Sequence, residues 1–86
     1  MISFEPLQIT LIKKKISKME FIEMTGVSSS TAARMWRDEY IAMRIIDHIC
    51  NVLECDLSEV ITHIPTPNYS RKLIDMTNGH DDKDQQ

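Results

Sequence analysis

Apolar residues along this chain recur at helical spacing. Leu7 and Leu11 stand four apart within residues 5–15, where Pro6 occupies a first-turn position and three lysines close the segment. A proline tolerates the missing donor of a first turn, and cations suit a helix C-terminus. Ser17 starts the next segment: Glu20 follows three residues later, which is capping-box spacing, and the apolar pair Phe21-Ile22 comes after it. Gly26 then ends this short second helix in the position where a left-handed residue is favoured. The run Ser28-Ser29-Ser30-Thr31 is rich in N-cap residues and predicts a third helix from about Ser29 to Arg37.

After a connection at 38–41, residues 42–54 form the strongest amphipathic segment, with Ile45, Ile46, Ile49, Cys50 and Leu53 on one face. Leu57, Val60, Ile61 and Ile64 predict a fifth short helix at about 57–63 that stops before Pro65. No segment alternates with period two over a strand length, so β structure is not expected in the first 64 residues. The expected fold is all-α, a five-helix domain over 1–66. Residues 67–77 read as a C-terminal arm and candidate dimer contact. Residues 78–86 hold no apolar side chain and read as a disordered, flexible tail.

Eighty-six residues at 42% hydrophobic and 27% charged make one ordinary globular domain. Such a short chain buries a modest fraction of its surface, so a second copy would help its stability. Without an apolar run of about 18 residues there is no membrane span to expect. The opening Met-Ile-Ser-Phe-Glu-Pro has no charged stretch leading into an apolar one, so a cytoplasmic location, with Cys50 and Cys55 reduced, is the expectation.

Net charge is −3, which at first argues against nucleic acid. The sum hides a split. Residues 13–37 carry six basic side chains against two acidic ones, +4, and residues 38–64 carry one against six, −5. The basic block contains two short helices joined through Gly26-Val27-Ser28, which is the layout of a helix-turn-helix unit, at about 17–37. At roughly 100° per residue, Ser29, Ser30, Ala33, Arg34 and Arg37 share an outward stripe, and Thr31, Ala32 and Met35 turn inward. Small residues at the start of such a helix let its backbone approach the floor of a major groove, and Arg bidentate to guanine is the commonest specific pair.

Arg34 is therefore the main candidate base reader, with Ser29 and Ser30 as weaker readers or phosphate contacts. Lys18 and Ser28, at two helix starts, suit phosphates. Arg37, one turn beyond Arg34, suits the DNA backbone. The candidate DNA-contacting set is Lys18, Ser28, Ser29, Ser30, Thr31, Ala33, Arg34 and Arg37.

The run Ile-Ser-Lys-Met-Glu-Phe-Ile-Glu-Met-Thr-Gly-Val-Ser-Ser-Ser-Thr-Ala-Ala-Arg-Met (16–35) resembles the helix-turn-helix of the Cro/cI-type repressors, the XRE family. Together with Glu39-Tyr40 and Ile-Ile-Asp-His-Ile-Cys-Asn-Val-Leu-Glu-Cys (45–55), it is similar to a small single-domain branch from bacteria and their phages. The resemblance covers roughly residues 2–66. It implies a lambda repressor-like fold, operator binding through helix 28–37, repression as the usual mode and often a homodimer. Against that pattern, Ile22 replaces an Ala, Ala32 an aliphatic residue, Asp38 a Gly, and Ala42 a capping Ser or Thr. Trp36 stands where a small or acidic residue is usual. Its wheel position lies between the inward and outward stripes, open to DNA, to the core or to a protein partner.

That last option defines the rival reading: a protein-interaction module on the same fold, antitoxin-like or a phage adaptor, docking through Trp36 and Tyr40 or residues 69–76. No nucleophile stands beside a base in a recognisable arrangement, so no enzyme is expected. His48, His63, Cys50 and Cys55 match no common metal-ligand spacing, and neither metal nor cofactor is expected.

Overall fold

The computed structural model describes residues 1–69. Four α-helices form the body of the fold: α1 Glu5–Lys13, α2 Lys18–Thr25, α3 Ser29–Trp36 and α4 Met43–Leu53. A single 3-10 turn, Leu57–Glu59, follows α4. Two short strands, β1 Ile2–Ser3 and β2 Thr62–His63, pair antiparallel with Ile2 opposite His63 and Ser3 opposite Thr62.

Two expectations are thereby corrected. The fifth helix shrinks to one 3-10 turn, and β structure does occur within the first 64 residues. Both changes have one cause. The Thr10 hydroxyl donates to the Glu59 carbonyl at 2.7 Å, an oxygen that a continuing helix would need for its own ladder. Val60, at φ −114° and ψ −48°, closes the turn fully buried, and the chain extends only beyond it, where the β-branched Ile61-Thr62 leads into the strand that pairs with β1. The expected arm and tail fall, from residue 70 onward, outside the described residues.

The core gathers Phe4, Leu7, Leu11, Phe21, Met35, Ile46, Ile49, Leu53 and Val60. Each of the four α-helices thus contributes at least one apolar anchor, which fixes α2 and α3 on the platform of α1 and α4. Ile22 and Val27 are half-buried against this cluster, so the bulkier residue at 22 is absorbed at the edge of the core.

Helix ends are the most specified parts of the chain. Ser17 accepts from the Glu20 N–H at 3.0 Å and the Ser17 N–H donates to the Glu20 carboxylate at 2.8 Å, completing the capping box read from sequence. Gly26 ends α2 at φ 77°, and its N–H reaches the Ile22 carbonyl. Lys15, Asp38 and Glu54 take the same left-handed conformation after α1, α3 and α4. Asp38 is the informative one. Its N–H bonds the Met35 carbonyl and the Glu39 N–H bonds the Arg34 carbonyl, both at 3.0 Å, which closes a Schellman turn. Its carboxylate accepts from the Phe4 N–H at 2.7 Å, so the residue standing in for glycine also clips α3 to the start of α1.

Candidate nucleic-acid interface

The turn between α2 and α3 is built from three local decisions. Gly26 supplies the left-handed residue, Val27 turns inward, and Ser28 caps α3 by accepting from the Thr31 N–H at 3.1 Å. The Ser28 hydroxyl also contacts Thr31 Oγ1 at 2.9 Å and Ser30 Oγ at 3.1 Å, so the serine cluster is a hydrogen-bonded cap. By helix geometry the N–H groups of Ser29 and Ser30 have no acceptor within α3 and point out of its N-terminus. Thr25 and His48 brace the turn from behind. The Thr25 hydroxyl donates to the Phe21 carbonyl at 2.8 Å, and His48 Nε2 lies 2.7 Å from the Thr25 carbonyl.

Along α3, Ala32 and Met35 are buried, Thr31 and Ala33 are half-buried, and Ser29, Ser30, Arg34 and Arg37 are exposed. Four members of the outward stripe are thus exposed, and Ala33, expected among them, is half-buried like Thr31. Two members are already engaged. Arg34 Nε donates to Glu39 Oε1 at 3.2 Å and its Nη2 to the Tyr40 carbonyl at 2.8 Å. Arg37 Nε donates to Glu39 Oε2 at 2.7 Å. The arginines hold the Glu39 carboxyl below its ordinary range, Arg37 most of all.

Glu39 is the site residue that sequence reasoning missed. Charge counting put it in the acidic block behind the helix, and the left-handed turn at Asp38 carries it back onto the basic stripe. The signal available was the order Arg34, Arg37, Asp38, Glu39, with a turn residue between base and acid.

Lys18 and Trp36 meet each other. The Lys18 ammonium sits 4.8 Å from the centre of the Trp36 ring, and that ring lies 5.8 Å from Phe21, tilted by 54°. Trp36 is half-buried against the core and so acts as a wall between α2 and α3. Beside the N-terminus of α3 a shallow hollow is lined by Val27, Ser28, Thr31, Arg44, Ile45 and His48, which brings α4 to the same face as the turn.

Cys50 and Cys55 are free thiols, half-buried at the far end of α4, where burial pushes both above the ordinary range. Among the described residues no group of three His, Cys, Asp or Glu side chains could hold a metal ion, and no helix is long and apolar enough to cross a membrane.

Two short capped helices around a left-handed glycine, with the second presenting hydroxyls and arginines outward, define a helix-turn-helix DNA-binding domain. Residues 6–66 match the family described as the Cro/C1-type HTH DNA-binding domain, and the chain belongs to it. Among solved structures it is similar to the crystal structure of the transcriptional regulator VanUg, Form II. The two share 32% identity and a TM-score of 0.72, over 76% of this chain and 87% of that one. No curated protein matches.

Proposed function

We propose that this chain is a sequence-specific transcriptional regulator that reads an operator with α3 in the major groove. The observation that carries this is the division of α3 itself: Ala32 and Met35 are buried, while Ser29, Ser30, Arg34 and Arg37 face outward from a capped N-terminus. Ser29, Ser30, Ala33 and the terminal edge of Arg34 meet base edges. Ser28, Thr31, Arg37 and Lys18 meet the flanking phosphates, Lys18 on leaving the Trp36 ring. Repression is the mode it favours, because a domain this small acts most simply by occupying DNA that polymerase needs.

Two copies serve better than one. Glu39 neutralises part of the charge on each α3, so a single copy offers few net phosphate contacts. A symmetric pair places two reading helices about 34 Å apart on one face of the duplex. Selection from a randomised duplex library tests all of this. Related half-sites about one helical turn apart are expected, and Arg34→Ala should weaken binding to the selected duplex by ~1–3 kcal/mol and relax one base position. A library that yields no enriched sequence overturns the proposal.

One observation keeps a second reading in view. Tyr40, whose carbonyl Arg34 contacts, is 65% exposed, and Met43 at the start of α4 is 60% exposed, apolar surface that a protein partner could cover. Salt separates the two. DNA binding should weaken with a slope of about −0.9 in log affinity against log salt for each phosphate contacted. Absence of duplex binding even at low salt favours the adaptor.

A further inference from the structure

We propose that Glu39 is a positioning residue that presents Arg34 to the operator as a fixed fork and so sets base preference at the step Arg34 reads. The proposal rests on the DNA-reading role of α3.

A guanidinium has two edges that can make paired hydrogen bonds, one through Nε and Nη2 and one through Nη1 and Nη2. In Arg34 the first edge is taken. Glu39 Oε1 holds Nε at 3.2 Å and the Tyr40 carbonyl holds Nη2 at 2.8 Å. Nη1 has no hydrogen bond among the described residues, and together with the second N–H of Nη2 it forms the terminal edge, the one that can face guanine O6 and N7.

Both acceptors belong to a turn that is itself pinned. Asp38 closes the Schellman turn at φ 59° and is tied to the Phe4 N–H at 2.7 Å, which fixes where residues 39 and 40 stand. The second oxygen of Glu39 is held by Arg37 at 2.7 Å, so the carboxylate cannot swing away without breaking another ion pair. These groups are exposed, and exposed pairs add little to stability. Their consequence falls on binding. A free arginine must be ordered when it docks, and ordering costs affinity at the specific site alone. A free arginine also closes on any nearby phosphate, a contact that carries no sequence information. Holding Arg34 on a carboxylate that Arg37 keeps in place favours the base contact of Arg34 and disfavours its indiscriminate one.

The test compares wild type, Glu39→Ala, Glu39→Gln and Arg34→Ala. The probes are a duplex recovered by selection, versions of it with one base pair changed, and a random duplex. Glu39→Ala is expected to lower the ratio between the selected duplex and the version changed at the Arg34 step by about tenfold, with tighter random-duplex binding and a steeper salt slope. Glu39→Gln keeps an oxygen for Arg34 Nε and should retain part of that ratio. In an Arg34→Ala background, Glu39→Ala should leave the ratio alone.

An unchanged ratio in Glu39→Ala overturns the inference, as does an equal loss with or without Arg34. The two ideas fail separately. If Arg34→Ala costs no discrimination, the base-reading role of Arg34 is wrong. If Arg34→Ala costs discrimination and Glu39→Ala does not, only the positioning role is. Matching thermal midpoints for wild type and Glu39→Ala establish that a folded protein is being read.

Discussion

Helices α3 and α4 are neighbours in sequence and are held in opposite ways. Helix α4 has no side-chain cap, since Ala42 stands at its N-cap, and it is secured by Ile46, Ile49 and Leu53 in the core. Helix α3 puts only Ala32 and Met35 into the interior and is specified at its ends, by Ser28 before it and Asp38 after it. The difference teaches how a domain of this size can spare a surface for a partner. Burial is concentrated in the scaffold, and local hydrogen bonds order the helix whose outer face must stay free.

The comparison breaks most easily at the scaffold. Ile49 is fully buried at the centre of the core. Ile49→Ala should cost about 2–5 kcal/mol, a large part of the ~4–13 kcal/mol expected for a chain of this length. Urea titration followed by circular dichroism would show a collapsed midpoint, or no folded baseline at 25 °C. Arg34→Ala, on the outer face of α3, should leave that midpoint in place while operator binding falls. Were both variants to shift the midpoint alike, the division between scaffold and reading surface would be wrong.

Ser28→Ala tests the other half. It removes the Thr31 N–H acceptor and both hydroxyl contacts, and should cost ~1 kcal/mol, or about 4–8 °C in midpoint. The readout that separates a cap from a mere surface serine is hydrogen exchange at the Thr31 amide, which should accelerate ahead of amides in α4.

What the sequence made legible follows the same division. The capping box at Ser17 and Glu20, the left-handed Gly26 and the Ser28 cap are decisions made within a few residues, and each can be read from local chemistry. The inward and outward stripes of α3 follow from helical period alone. Contacts between distant residues were not legible. The clip from Asp38 to Phe4 spans 34 positions, and the bond from Thr10 to Glu59 that ends the predicted fifth helix spans 49. Glu39 lies between these cases. It is only five residues from Arg34, yet its place depends on a left-handed conformation at a non-glycine position, which propensity argues against. Splitting the charge at residue 38 therefore separated groups that the fold joins.

The smallest effect sharpens the comparison from the scaffold side. Ala42 has the extended backbone of an N-cap, at φ −55° and ψ 137°, and its carbonyl already accepts from Ile45 and Ile46. Only the side-chain acceptor is missing. Ala42→Ser places an oxygen within reach of the first-turn N–H groups, at a position whose backbone needs no rearrangement, and should stabilise the fold by about 0.5–1 kcal/mol. Because α4 is already fixed by three buried residues, this gain should appear as a higher midpoint with unchanged operator affinity. A change in affinity would mean that the start of α4 moves with α3, through the hollow that Ile45 shares with Val27 and Ser28, and that the scaffold is part of the reading surface.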